Sequence, residues 1–392
     1  MNILFIANRF PYPPFRGDKL KIFNLATQLS KKHSLHLITF AETDKDYEYI
    51  VELEGIFKTI KVIKLPKWQS IWNVAWGMFG TLPLQVNYFK SRSFELALSQ
   101  ILKEQDFDAV HVQHLRMAQY AIEKKQLKRI LDLPDAFSLY WQRRKTVKRN
   151  FFVTVLDNIE SKRVLAYEKF ILNEFNLNLV CSAEDMNFLI NAHGVKNINV
   201  LPNGVDTQKF KPMAHDYSKS DTLLFTGNMD YAPNIDAVIY FVEEIFPLIK
   251  KTHPQVKFII AGQRPVEKVL ALANGADIEV TGFIPELQTM YNTASIVVAP
   301  LRFGAGTQNK VLEAMAMGIP VVCSNIGFEG LGIADGEGAF MRTDAISFSE
   351  TVNELLTNEA LRKVMGEKGS KAISENFSWE KIALILENYL SK

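Results

Sequence analysis

The chain has 392 residues, of which 47% are hydrophobic, 11% aromatic and 22% charged, so it is too long for one ordinary α/β core and suits two of roughly 170–200 residues each. That composition excludes a disordered chain, and the lack of an apolar run of eighteen residues excludes an obvious membrane-spanning helix. The net charge of +2 divides unevenly: residues 1–200 hold 28 Lys and Arg against 20 Asp and Glu, and residues 201–392 hold 17 against 23. A basic first half favours an anionic partner, for which an acidic membrane surface or a lipid phosphate fits better than nucleic acid, whose motifs are missing.

The opening MNILFIANRF lacks a basic start followed by a long apolar stretch, so it reads as a first strand and not as a signal peptide. Short apolar runs then alternate with helical patterns, the mark of parallel sheets with crossover helices. NILFIA, LHLITF, IKVIKL, DAVHVQ, KRILDL and NLNLVCS are the strand candidates of the first half; TLLFTG, VKFIIAG, ADIEVTG, ASIVVAP and PVVCS are those of the second. Between the two series, VLPNGVDTQKFKPMAHDYSKSD has the Pro, Asn, Gly and polar content of a linker, which puts the boundary near residue 205. The expected domains are 1–204, together with an amphipathic closing helix over about 377–392 capped by Ser378, and 205–376. Cys181 and Cys323 lie far apart in or just after apolar runs and read as small buried residues, in keeping with a reducing cytoplasm.

Ligands in open α/β sheets bind at the carboxyl ends of strands, so the chemistry is sought there. In ASIVVAPLRFGAGTQNKVLEAMAMGIPVVCS a strand ending at Pro300 runs through a loop with Gly304 and Gly306 into a helix expected from about Thr307 to Met317, closed by Gly318. Thr307 as cap, the two glycines and the positive end of the helix together suit a diphosphate. Lys310 and Glu313, three apart, share a face, one fit to meet phosphate and the other to accept from ribose hydroxyls. A surface ion pair on an ordinary helix is the competing reading. In the first half, Arg16, Gly17 and Asp18 open an amphipathic helix without the G-x-G-x-x-G fingerprint, which leaves phosphate or acceptor contact beside a purely conformational glycine.

His111 alternates with Val110 and Val112 as a packed strand residue, while His114 falls in the loop beyond and is the better site candidate. The other histidines, His33, His36, His193, His215 and His253, have no metal-ligand spacing. LDLPDAFSLYWQRRKTVKRN offers Asp135 and Ser138 as acceptor-side candidates beside the basic series Arg143, Arg144, Lys145, Lys148 and Arg149, for which a solvated helix face is the favoured reading. WQSIWNVAWGMFGTLPLQVNYF gathers Trp68, Trp72, Trp76, Phe79 and Phe89; it could rest in a membrane interface, but partial burial is expected.

With these pieces in order, the chain resembles the retaining glycosyltransferases of family 4, whose GT-B fold is two facing Rossmann-like α/β domains with parallel sheets and a C-terminal helix packing back toward the first. PYPPFRGDKLKIFNLATQLS, VCSAEDMNFL, VLPNGVDTQKF, LLFTGNMDYAPNIDAVIYF, IIAGQRP, VTGFIPELQTMYNTASIVVAP and FSWEKIA carry the likeness over nearly the whole length, most loosely between residues 40 and 170. The resemblance implies transfer of a sugar, with retention, from a nucleoside diphosphate sugar held between the domains to a hydroxyl of a glycan or lipid-linked acceptor in cell-surface polysaccharide biosynthesis. It implies that Glu313 holds the donor ribose, that the Gly304, Ala305, Gly306, Thr307 loop and Lys310 receive the diphosphate, that Phe283 and Ile284 lie beside the base, and that His114 contacts the sugar or its departing phosphate. Gly17, Gly227 and Asn228 complete the expected donor site.

Two departures stand out. Many family members carry an acid where this chain has Ala305, and an Arg and a Lys where it has Asn228, Met229 and Asn234; a branch with GNM…PN and GAG…K motifs is similar, and there Lys310 would replace the missing cations. Neither cofactor nor metal is expected, because Lys310 can neutralise phosphate. The rival readings are a non-catalytic nucleotide-sugar-binding subunit and a nucleotide-sugar epimerase of the same fold. The expected location is the cytoplasm, with peripheral attachment to the inner face of the membrane through the basic half.

Overall fold

The computed structural model describes residues 1–145, 151–212, 216–219 and 221–391; Lys148, Arg149 and His215 lie outside them. The chain divides into two units, Met1–Pro202 with Ile382–Lys392, and Asn203–Lys381. The first unit is a seven-stranded sheet built from β1 (Asn2–Ala7), β2 (Ser34–Ala41), β3 (Thr59–Lys64), β4 (Ala109–Gln113), β5 (Lys128–Leu133), β6 (Leu177–Val180) and β7 (Ile198–Val200), in the order β3-β2-β1-β4-β5-β6-β7. The second contains β8 (Thr222–Thr226), β9 (Lys257–Ala261), β10 (Ile278–Gly282), β11 (Ile296–Ala299), β12 (Val321–Cys323) and β13 (Ala339–Met341), in the order β10-β9-β8-β11-β12-β13. Neighbouring strands are parallel in both sheets, Ile3 facing Leu35 and Ala109 in one and Leu223 facing Phe258 and Ile296 in the other.

The central strands are near-continuous apolar runs because helices cover both faces of a parallel sheet. Leu4, Ile6, Val110, Val112, Leu131 and Leu133 pack in one core, and Leu223, Phe225, Phe258, Ile260, Ile296 and Val298 in the other. β3, at an edge, instead shows Lys61 and Lys64 to solvent. The short strands β7 and β13 are not apparent in the sequence, whereas β12, equally short, is.

In each sheet the strand order reverses once, between β1 and β4 and between β8 and β11, and an α/β sheet opens its ligand crevice outside the carboxyl ends at that reversal. The segments that reach these two places are Asn8–Gly17 and His114 in the first unit, and Gly227–Asn234 and Pro300–Lys310 in the second.

Candidate functional site

In the second unit, the turn after β11 leads into a helix over Asn309–Ala316, shorter than expected. Its N-cap is Gln308, with no side-chain capping bond, so Thr307 is not the cap that the sequence suggested; Gln308 instead turns its Nε2 back to the carbonyls of Ala305 and Gly306 (3.4 and 3.3 Å). At the other end Gly318 adopts φ +75°, and the N–H groups of Ile319 and Gly318 bond to the carbonyls of Ala314 and Met315 at 3.0 and 2.9 Å, a Schellman closure. The loop is deeply placed: Phe303, Gly304, Ala305, Gly306 and Thr307 are all buried.

Lys310 lies in the first turn of this helix and points inward. Only 8% exposed, its Nζ donates to Asn234 Oδ1 (3.1 Å) and Gln308 Oε1 (3.3 Å) and sits 5.1 Å from the centre of the Phe225 ring. It makes no ion pair among the described residues, which overturns the surface ion pair as an account of Lys310 and Glu313. Burial lowers the Lys310 pKa to about 8, against the smaller opposing pull of Glu313. Such an ammonium is a cation short of an anion.

Glu313, one turn on, accepts from the hydroxyl of Tyr291 (2.9 Å), which also meets Thr226 Oγ1 (2.8 Å). Burial pushes the Glu313 carboxyl up to about 7, while Tyr291, Lys310 and Lys209 oppose it. A relay of amides continues from Lys310: Asn234 Nδ2 donates to the Asn228 carbonyl (3.0 Å), and Asn228 Oδ1 accepts from Gln263 (2.7 Å). The ends of β8 and β9 are thereby tied to the lysine. Gly227 and Gly262 are required by this close approach, since a Cβ on Gly262 would lie 1.6 Å from the Gly227 carbonyl oxygen and one on Gly227 would lie 2.6 Å from Asn234 Nδ2. Phe283, 51% exposed, and the half-buried Ile284 follow the end of β10.

In the first unit, Gly17 starts the helix Gly17–Leu29 with Arg16 as N-cap. Asp18 is committed to the scaffold: its carboxylate pairs with Arg9 (2.6 Å), and although burial resists ionisation, Arg9 and Arg16 hold its pKa below the usual range. Arg9 also reaches Glu42 at 2.8 Å, and Gln113 Nε2 donates to the Asp18 carbonyl at 2.6 Å. One turn further, Lys21 is buried against Asp132 (2.7 Å) and the Leu201 carbonyl (3.1 Å), tying the helix to the ends of β5 and β7.

His114 has φ +80°, a sparsely populated conformation for a residue with a side chain, and is 5% exposed. Burial first, then Arg116 and Arg9, hold its pKa well below 6.5, so the ring is neutral at pH 7. Its Nδ1 accepts from the Arg116 N–H (3.3 Å), which leaves the ring proton on Nε2. His114 is therefore a neutral donor against which Phe137 packs at 4.5 Å. His111 is a fully buried strand residue beside Phe5.

Two expectations fail here. Ser138 is 3% exposed and its hydroxyl is bound to Glu168, which also receives the N–H groups of Phe137 and Ser138 and the ring of His193, so it is an internal brace and not an acceptor contact. The tryptophans expected to be partly buried stand out instead: Trp68, Trp72 and Trp76 on the helix Lys67–Gly77 are 66%, 58% and 71% exposed, and Phe79 is 89% exposed. Asp135 keeps its candidacy; it is half-buried, and burial together with Asp185 raises its carboxyl to about 8.

Sequence reading missed Tyr291, Phe225, Arg9 and Lys21 as site-building residues. Lys21 had a signal, since it lies four residues after Gly17 on the helix face of Ile22, Leu25 and Leu29; Tyr291 and Phe225 had none. The metal-free expectation also overlooked two D-x-D triplets, Asp44-Lys45-Asp46 and Asp106-Phe107-Asp108. Asp46 accepts the Glu42 and Thr43 N–H groups and Asp108 that of Asn2, and no group of three metal-holding side chains exists among the described residues.

Two Rossmann-like units of parallel strands, the second with a buried lysine and a half-buried carboxylate on the helix after its glycine-bearing turn, define a glycosyltransferase of the GT-B fold. The solved structure of Anabaena HepE in complex with UDP and glucose matches with a TM-score of 0.71 and 15% identity, over 100% of both chains. The chain belongs to the glycosyltransferases described as Glycosyltransferase Family 4, matched over residues 22–209, and Glycosyl transferases group 1, matched over 220–358. It is 24% identical to an uncharacterized 44.6 kDa protein in the cps region of Klebsiella pneumoniae, over 97% of each chain. It is also 24% identical to the capsular polysaccharide biosynthesis glycosyltransferase CapM of Staphylococcus aureus, over 48% of this chain and 54% of that one.

Proposed function

We propose that this glycosyltransferase moves a sugar from a nucleoside diphosphate sugar to a hydroxyl of a glycan or lipid-linked acceptor, with retention and without a metal, in cell-surface polysaccharide assembly. The observation that carries the reading is Lys310: a buried ammonium with no carboxylate partner among the described residues, in the first turn of a helix, one turn from the half-buried carboxylate of Glu313. Diphosphate oxygens are the natural complement of the ammonium and of the helix's positive end. Glu313, kept in place by Tyr291, is set to accept from the ribose hydroxyls, and Phe283 and Ile284 offer an apolar edge to the base. The relatives in the cps region and in capsule biosynthesis support the polysaccharide setting, and the UDP and glucose of HepE support the donor class.

In the reaction, the bond from the anomeric carbon to the β-phosphate oxygen breaks as the acceptor oxygen bonds to the same face, and the acceptor proton passes to the departing phosphate. Charge grows on the leaving diphosphate, where Lys310 and the helix end are already oriented and need no reorganisation. His114, neutral and with its proton on Nε2, would donate a hydrogen bond to the sugar or to the departing phosphate. Asp135 stands on the acceptor side.

The test is incubation with nucleoside diphosphate sugars and a lipid-phosphate-linked glycan, reading nucleoside diphosphate release, product anomer and sensitivity to a chelator. Acceptor-dependent release, a retained anomer and chelator indifference are expected. Alteration of the donor with no acceptor would point to an epimerase, binding without transfer to a binding subunit, and inhibition relieved by magnesium to a metal-dependent reaction.

A further inference from the structure

The tryptophan helix Lys67–Gly77 and the turn behind it have no role in the transfer site. Trp68, Trp72 and Trp76 recur every four residues on one face with Ile71 beside them, and Met78, Phe79 and Leu82 prolong the apolar surface; each is between 38% and 89% exposed. The element is firmly held nonetheless. Gly77 packs so closely on Asn87 that a Cβ there would lie 2.6 Å from Asn87 Nδ2, and Asn73 donates to the Lys90 carbonyl at 2.8 Å. Arg163 donates to the Met78 carbonyl at 2.6 Å, and Glu160 accepts the Leu84 N–H at 2.8 Å, both from the helix Phe151–Glu174, whose Leu156 and Ile159 are also exposed. A pre-set apolar face of this size, held open to water, is rare on a protein with no partner for it.

Charge decides what covers it. From residue 55 to residue 94 the chain contains no Asp or Glu and six basic residues, Lys58, Lys61, Lys64, Lys67, Lys90 and Arg92. Lys67 and Lys90 flank the tryptophans, and Lys90 borders a cavity of about 360 Å³ whose wall also includes Trp76, Leu82 and Asn87. A second copy docked symmetrically through this face would bring like charges together. Indole rings ringed by lysines match the boundary between acyl chains and anionic headgroups, where the ring buries its apolar body and the ammonium groups meet phosphate.

We propose that the segment 67–92 is a membrane-docking element that seats the first unit on a bilayer rich in acidic phospholipid, the tryptophans entering the headgroup layer and Lys67 and Lys90 resting on lipid phosphates. This does not depend on the donor site, and its failure would leave the transfer reading intact.

The test is flotation of the full chain with vesicles of phosphatidylcholine alone and with about 30% phosphatidylglycerol, with tryptophan emission recorded alongside. Binding to the acidic vesicles, a blue-shifted emission and loss at high salt are expected. Lys67→Gln and Lys90→Gln should each weaken binding about fivefold, and the triple variant W68Q/W72Q/W76Q should abolish the shift while melting at the wild-type temperature, since those side chains support no core. Wild-type protein that fails to float with acidic vesicles at low salt would overturn the proposal. So would a triple variant that binds as well as wild type, or a concentration-dependent dimer that the triple variant abolishes.

Discussion

Lys310→Met separates a binding role from a structural one, because the two predict opposite changes in stability. Keeping the Lys310 ammonium charged at pH 7, with its pKa brought from 10.5 to about 8 by burial, costs about 3 kcal/mol in the folded protein. Methionine removes that cost and fills similar space, but it leaves Asn234 Oδ1 and the half-buried Gln308 Oε1 without their donor, which together cost about 1–2 kcal/mol. The net expectation is a gain of about 1–2 kcal/mol, or a melting point higher by about 2–8 °C at 2–4 °C per kcal/mol for a domain of this size. Turnover should fall by about 10²–10³, the usual consequence of losing a prepositioned charge on a developing anion. The pH dependence provides an internal control. The unfolded lysine holds its proton up to about pH 10.5 and the folded one releases it near 8, so wild-type stability rises with pH across that window. The variant lacks this rise. Scanning calorimetry from pH 6 to 10 with an assay of donor turnover reads all three effects. A variant that melts several degrees below wild type, or one that keeps wild-type turnover, would contradict a binding role for Lys310.

Glu313 should accept ribose hydroxyls most strongly when ionised, so kcat/KM is expected to fall as pH drops below about 7, and Glu313→Gln should flatten that limb while lowering kcat/KM about 10–100-fold; a limb that persists in the variant belongs to another group. Tyr291→Phe removes the hydroxyl shared by Glu313 and Thr226 and should destabilise by about 1–3 kcal/mol in urea unfolding, with a raised donor KM. Ser138→Ala should cost about 1–2 kcal/mol by loosening Glu168 yet leave acceptor KM unchanged. A raised acceptor KM would restore Ser138 to the site.

The strand series and its two-unit division were legible because parallel strands covered on both faces need unbroken apolar runs, and those runs alternate with helices throughout. Lys310 and Glu313 were legible because strand, glycine turn and helix occupy one contiguous string, so their spacing fixes their shared face. What surrounds them comes from elsewhere in the chain. Asn234 is 76 residues from the lysine it binds and Tyr291 is 22 from its carboxylate, and only the sheet order brings them together. Ser138 misled for the same reason: a serine after a strand looks available until Glu168, thirty residues on, closes over it. The Thr307 cap failed because the chain winds two residues later than the pattern implies, with Gln308 bonding back to the loop. The tryptophans defeated the reading because burial follows from what packs above a helix, which residues spaced by four cannot reveal.

The buried ammonium of Lys310 should receive the phosphates of a nucleoside diphosphate. Calorimetric titration of wild type and Lys310→Met with ADP, GDP, UDP and their sugars, in chelator-treated buffer, tests it most directly. Wild type should bind one base, with its sugar, and the variant should bind it at least about tenfold more weakly. If no nucleoside diphosphate binds wild type, or if the variant binds one equally well, Lys310 is not a diphosphate-binding group.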